Sequence, residues 1–160
     1  MGSPLGPVLA NIFMCHFEES WLTNNQFRPF IWFRYVDDTF SSFHSKDTAS
    51  RFLDFLNSRH PNIKFTMELE ENREIPFLDV VYQGLSDNTF STTVHRKKTF
   101  TSLYTKWVSF TLRKYKVNLI RTLTYRCLHV CSKSTLLQST LSDLKKSLLQ
   151  NGYPRGVITL

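Results

Sequence analysis

Long apolar runs are missing from this 160-residue chain. Stretches such as Phe30-Ile31-Trp32-Phe33 fall far below the roughly 20 residues of a bilayer span, so no membrane segment is expected. The N-terminus lacks a charged start followed by an apolar core, so no secretory signal is expected either. Cysteine is scarce: three residues cannot all pair with one another, and their placement suggests no disulfide framework. That points to a reducing, intracellular compartment. There is no P-loop, no dinucleotide-binding glycine motif, no internal repeat and no low-complexity tract. With 41% hydrophobic and 21% charged residues, wholesale disorder is excluded. The length suits one domain, or one with a small appendage.

Acidic residues are nearly missing from the second part. Residues 91–160 carry 13 Lys+Arg against 1 Asp+Glu, a net of +12, whereas residues 1–90 carry 7 against 12, a net of −5. Such asymmetry suggests two jobs: carboxylates that hold a divalent metal, and a basic surface that holds a polyanion.

The periodicity predicts a helix from Ser3 to about residue 22. Ser3 is a good N-cap and Pro4 suits the first helical position. Leu5, Val8, Leu9, Ile12 and Phe13 recur at helical spacing and are expected to be buried. Glu18, Glu19 and Thr23-Asn24-Asn25 end this helix. Phe30 to Phe43 reads as two short strands around Asp37-Asp38. A helix over about 47–58 follows, capped by Asp47 or Thr48 and burying Phe52, Leu53, Phe55 and Leu56, with Pro61-Asn62 as the turn out. Strands over about 63–70, 75–83 and 89–96 would form an antiparallel meander. Residues 97–111 are basic, aromatic and less regular. Helices are predicted over about 113–131, with Leu119, Ile120, Leu123, Cys127 and Val130 inward, and about 134–150, with Leu137, Leu141, Leu144 and Leu148 inward. Ser134 would cap the second, and Asn151-Gly152 with Pro154 would stop it. The order implies an α+β fold with helices on one face of an antiparallel sheet. Residues 1–107 would form one layered unit and 108–160 a helical appendage.

Tyr35-Val36-Asp37-Asp38 is the sharpest chemical signal. Adjacent carboxylates repel, so solvent, a basic side chain or a cation must offset them. Hard oxygen ligands suit Mg²⁺, which takes one or two carboxylates plus substrate phosphates. An exposed turn is the competing explanation.

Met1-Gly2-Ser3-Pro4-Leu5-Gly6-Pro7-Val8-Leu9-Ala10-Asn11, followed by Tyr35-Val36-Asp37-Asp38-Thr39-Phe40, resembles the successive palm motifs of reverse transcriptases. Phe65-Thr66-Met67-Glu68, Pro76-Phe77-Leu78-Asp79-Val80, Arg96-Lys97, Tyr104, Trp107, Tyr115-Lys116, Cys131-Ser132 and Asn151-Gly152-Tyr153-Pro154 continue the series. Together they resemble the reverse transcriptase of Penelope-like retroelements over nearly the whole chain. The resemblance implies a partial polymerase palm followed by a helical thumb. It implies RNA-directed DNA polymerisation by two-metal nucleotidyl transfer onto a primer 3′-hydroxyl, with Mg²⁺ (or Mn²⁺). The implied partners are an RNA template, a DNA primer and deoxynucleoside triphosphates, in the nucleus for the parent retrotransposon. Asp37 would be the chief metal ligand and Asp38 its support, with Tyr35 and Val36 near the primer end and incoming nucleotide. Gly2 would permit close approach of nucleotide or template. Ser3 would contact substrate, or simply cap the helix. Phe77 to Val80 would position the primer, with Asp79 a hydrogen-bonded structural residue. The family's remaining metal Asp would lie upstream of Met1, so the chain is expected to need an upstream fingers and palm region. Otherwise it would act as a catalytically inactive nucleic-acid-binding remnant. A palm lacking that upstream strand would also expose a sheet edge.

The basic part is suggestive by itself. Arg96, Lys97, Lys98, Lys106, Arg113, Lys114, Lys116 and Arg121 interleave with aromatics, as phosphate neutralisation and base stacking require. Trp107 and Tyr115 are either stacking residues or core. The leucine stripe of 134–150 is either core or a dimer seam, core being favoured. Cys127-x-His129-x-Cys131 places only two ligands on one helix face, too few for a closed zinc site, so packed thiols are favoured. Lys64 is expected to be a solvated lysine rather than a proton donor to pyrophosphate.

Overall fold

A computed structural model describes residues 3–22, 28–87 and 89–158, so Gly2 and Thr23-Asn24-Asn25 lie outside the described residues. The described chain is α+β, with four α-helices and two small antiparallel sheets. It packs as two compact units, Met1–Leu69 and Glu70–Leu160. In the second unit the three-stranded sheet packs with the C-terminal helices, chiefly through its last strand. Charge divides accordingly. The first unit has 6 Lys+Arg against 7 Asp+Glu, net −1, and the second 14 against 6, net +8.

The first unit comprises α1 (Gly6–Leu22), β1 (Ile31–Tyr35), β2 (Asp38–Ser42) and α2 (Lys46–Arg59). Ser3 launches α1: its Oγ accepts from the Leu5 N–H at 3.3 Å and its carbonyl from the Gly6 N–H at 3.1 Å. The expected buried stripe of α1 is corrected. Leu5, Val8, Leu9, Ile12 and Phe13 are 44–65% exposed, and the later turns of the helix bury Phe17 and Trp21 against Phe52 and Leu56. Periodicity gives the apolar side of a helix but does not say which of its turns meet the core. Trp32, the inward residue of β1, meets Trp21 edge-on with ring centroids 5.0 Å apart and Phe52 at 5.9 Å. Those contacts hold a two-stranded hairpin that would be marginal alone.

Ser45, rather than Asp47 or Thr48, caps α2: its Oγ accepts from the Thr48 N–H at 3.2 Å. Phe52 and Leu56 are buried as expected, with Ala49; Leu53 and Phe55 are half-buried. The expected strand over 63–70 does not form: these residues belong to no helix or strand. Asn57 takes the neighbour strand's place. Its Oδ1 accepts from the Phe65 N–H at 2.7 Å and its Nδ2 donates to the Phe65 carbonyl at 3.1 Å, so both backbone groups of Phe65 are satisfied by one side chain.

The second unit comprises β3 (Glu74–Phe77), β4 (Val80–Gly84), β5 (Phe90–Val94), α3 (Arg113–Val130), α4 (Ser134–Gln150) and a 3₁₀ turn, Arg155–Val157. An antiparallel meander exists, but of different segments: the expected strand over 75–83 folds back on itself at Leu78-Asp79. Both C-terminal helices occupy the ranges that their apolar periodicity predicts. Their shared core is Ile120, Cys127, Leu144, Leu148, Tyr153 and Ile158, with Leu119, Leu123, Leu137 and Leu141 packed around it. The α4 stripe is therefore core, and Leu148 is 0% exposed. Ser134 begins α4 rather than capping it.

Asn151 closes α4 and staples the irregular 102–107 segment to it. Its Nδ2 donates to the Ser102 and Ser147 carbonyls, each at 2.7 Å, and its Oδ1 accepts from the Tyr104 N–H at 3.0 Å. Gly152 then takes φ +82, a conformation that favours glycine, and its N–H reaches the Leu149 carbonyl at 2.9 Å.

Candidate carboxylate hairpin and nucleic-acid interface

The register of the first hairpin pairs Tyr35 with Asp38, leaving Val36 and Asp37 as its two turn residues. The acidic pair is thus split between turn and strand: Asp37 completes the turn and Asp38 opens β2. Val36 holds φ +56 while Asp37 keeps negative φ, the sign pattern of a type II′ turn. A β-branched residue there is strained, because its Cβ crowds the backbone.

Tyr35, Val36, Asp37 and Asp38 are all exposed. Among the described residues no cation pairs with either carboxylate. Arg34, the cation nearest in sequence, donates from Nε to Glu18 Oε1 at 2.7 Å, from Nη2 to Asn11 Oδ1 at 3.1 Å and from Nη1 to the Val36 carbonyl of the turn at 3.4 Å, but to neither carboxylate. The Glu18 hydrogen bond raises the Arg34 pKa above its ordinary value. Among the described residues no ion pair therefore relieves the repulsion between the exposed Asp37 and Asp38. As a donor set they fit part of a Mg²⁺ site, since two carboxylate-bearing residues supply hard oxygens and leave positions for phosphate. Ser3 is exposed and occupied in launching α1. Exposed Lys64 donates to the Asn57 carbonyl at 2.8 Å, serving the last turn of α2.

The second unit sorts its cations. Lys97, Lys98, Lys106, Arg113, Lys114 and Arg121 are exposed, and Arg96 is half-buried. Lys116 is different and corrects the expected binding surface. It is 7% exposed, and its Nζ donates to the Trp107 carbonyl at 2.5 Å and the Ser109 carbonyl at 2.7 Å. Trp107 is core, packed 5.3 Å from the Tyr153 ring, whereas Tyr115 is exposed with Lys114 Nζ 5.1 Å from its ring centre. Burial pushes the Tyr153 hydroxyl pKa up; that hydroxyl donates to the Thr105 carbonyl at 2.8 Å.

Asp79 is a turn residue that accepts from Arg126: the Arg126 Nη2 lies 3.0 Å from its carboxylate and 3.3 Å from its carbonyl. Arg126 escaped the sequence reading because its partner lies 47 residues away. Cys127 is buried, and burial pushes its thiol pKa up. His129 stacks on Tyr125 at 3.7 Å. Among the described residues no three His, Cys, Asp or Glu side chains form a metal-holding group, and no helix is long and apolar enough to cross a membrane.

Residues 103–159 match the family described as the animal helix-turn-helix domain. The match contains α3, the three-residue link 131–133 and α4. No curated protein and no solved structure matches the chain.

Proposed function

We propose that the chain is a nucleic-acid-binding segment of an RNA-directed DNA polymerase of the Penelope-like retroelement type, acting in the nucleus. In this reading the first unit carries part of the metal-holding palm and the second leads into the thumb. The observation that carries it is the Tyr35-Val36-Asp37-Asp38 turn. Two adjacent, exposed carboxylates without a cation partner sit on a strained backbone, an arrangement that gains nothing for stability and suits cation binding. Asp37 and Asp38 would hold Mg²⁺ (or Mn²⁺), which when bound supplies Lewis-acid stabilisation of the charge that develops in phosphoryl transfer.

Arg34 pairs with Glu18 and braces the turn at the Val36 carbonyl, leaving both carboxylates without an ion-pair partner among the described residues. Exposed Tyr35 and Val36 border the carboxylates and bound the nucleotide site. The primer 3′-hydroxyl attacks the α-phosphate of a deoxynucleoside triphosphate, and pyrophosphate leaves. The resemblance assigns a further metal-binding Asp to an upstream fingers and palm region. Arg96, Lys97, Lys98, Lys106, Arg113, Lys114 and Arg121 neutralise phosphates of the RNA template–DNA primer duplex. Backbone contacts of this kind give weak sequence preference.

The helix-turn-helix match favours a second reading, nucleic-acid binding without catalysis, because it covers the basic helical region and none of the carboxylates. Primer extension by a protein containing the upstream region separates the two. Extension that is lost in Asp37→Ala supports the polymerase; full extension in that variant removes it. Charge reversal at Lys97, Lys98 and Lys114 together weakens duplex binding in either reading, and unchanged affinity overturns both.

A further inference from the structure

We infer that a cavity in the second unit, lined by the end of β5, the segment after it, α3 and α4, receives one unpaired nucleotide of the bound strand. This rests on the nucleic-acid reading and deepens it. The cavity measures about 310 Å³. That is at the small end of the roughly 300–1,000 Å³ of ligand sites, suiting a single nucleotide rather than a base pair.

Its lining has the two chemistries a nucleotide needs. Leu123 and Leu144 are apolar, and Phe100 and Tyr104 add aromatic rings whose centroids are 5.8 Å apart. Arg96, Lys97 and Arg126 add three positive charges, and Asp79 one negative. Asp79 is paired with Arg126, so Arg96 and Lys97 are left for an incoming anion, a net of 3 − 1 = +2. Arg96 lies 5.6 Å from the Phe100 ring centre, bringing a cation beside the aromatic surface on which a base can stack.

Tyr104 adds a polar handle: its hydroxyl has no hydrogen-bond partner among the described residues. Burial pushes its pKa up. A base engaged in a duplex cannot enter such a cavity, whereas an unpaired end enters without the cost of unstacking a pair. On α3, Arg121 lines a second cavity of about 290 Å³ beside Tyr125, but it is the one cation there, against three in the first.

Fluorescence anisotropy with a blunt duplex, and with the same duplex bearing one unpaired 5′-phosphorylated nucleotide, tests this. The unpaired end is expected to bind roughly 5- to 50-fold tighter, the scale of one base stacked on an aromatic residue. Phe100→Ala is expected to erase that preference and Tyr104→Phe to reduce it. Blunt-duplex affinity and the thermal melt stay close to those of the parent protein in both variants. Adenosine 5′-monophosphate is expected to compete away the preference, leaving blunt-duplex binding intact.

Equal affinity for the two duplexes overturns the inference while leaving duplex binding in place. Equal competition by inorganic phosphate also overturns it, reducing the cavity to an anion site. Binding of neither duplex removes the nucleic-acid reading and this inference with it.

Discussion

Two tight turns in this molecule share a backbone and differ in chemistry. Tyr35-Val36-Asp37-Asp38 joins β1 to β2, and Phe77-Leu78-Asp79-Val80 joins β3 to β4. Each has a bulky apolar residue at positive φ, +56 at Val36 and +55 at Leu78, followed by aspartate. Asp79 is paired with Arg126 and followed by valine. Asp37 has no cation partner among the described residues and is followed by a second aspartate. Backbone strain next to an aspartate is therefore not by itself the mark of a functional site, because the second turn has it too. The distinguishing features are the doubled carboxylate and the pairing of Arg34 with Glu18 rather than with either aspartate.

The comparison breaks or holds first on activity. In a protein that contains the upstream region, Asp37→Asn is expected to lower primer extension at least about 100-fold, the scale of losing one group that stabilises a transition state. Asp79→Asn is expected to leave extension close to the parent level. It forfeits less than about 1 kcal/mol of stability, since the Asp79 side chain is 74% exposed and solvent screens its pair. Equal losses of extension would erase the distinction between the turns.

A second contrast sets Asn151 against Asn57. Both side chains hold irregular chain that no ladder supports, Asn151 by three bonds from a buried site and Asn57 by two from a half-buried one. Asn151→Ala is expected to destabilise the second unit by about 2–4 kcal/mol, and Asn57→Ala the first by about 1–2, because the carbonyls and N–H groups left behind lose their partners. Denaturant titration checks the order, and a larger loss at Asn57 would reverse it. The same logic separates two lysines of α3. Lys116→Ala is expected to cost about 2 kcal/mol of stability and leave the salt dependence of duplex binding unchanged. Lys114→Ala is expected to reduce the salt slope by about 0.9 and leave stability unchanged.

Local periodicity made α3 and α4 legible nearly to the residue, because each has one apolar stripe and one core to meet. It failed on α1, whose apolar residues are exposed as far as Phe13 and buried only from Phe17 on, a difference along the helix that spacing does not carry. Leu78 hid a hairpin because a leucine gives no turn signal, and the run Ile75 to Gln83 otherwise reads as a single strand. At the candidate site, Asp37 and Asp38 were legible because two like charges stand inside an apolar hairpin. The pairing of Arg34 with Glu18 rather than with them was not, since Glu18 lies in another element. The basic character of the second unit was legible from composition. Composition did not distinguish Lys116, buried beneath Trp107 and Ser109, from its exposed neighbours.

The smallest expected effect bears most directly on the shared backbone of the two turns. A side chain at left-handed φ costs about 1–2 kcal/mol, while glycine costs about 0.5–1 kcal/mol in unfolded-chain entropy. Val36→Gly and Leu78→Gly should each therefore stabilise their own unit, by about 0.5–1 kcal/mol. The gain should be greater at Val36, which is β-branched and 69% exposed, than at Leu78, which is 42% exposed and forfeits more apolar contact on truncation. Thermal unfolding of the two single variants reads the difference. A gain at both makes strain common to the turns and leaves the carboxylate pair as what sets the first apart. A loss at Val36 alone would mean that its side chain, rather than the turn it occupies, holds the carboxylate hairpin in place.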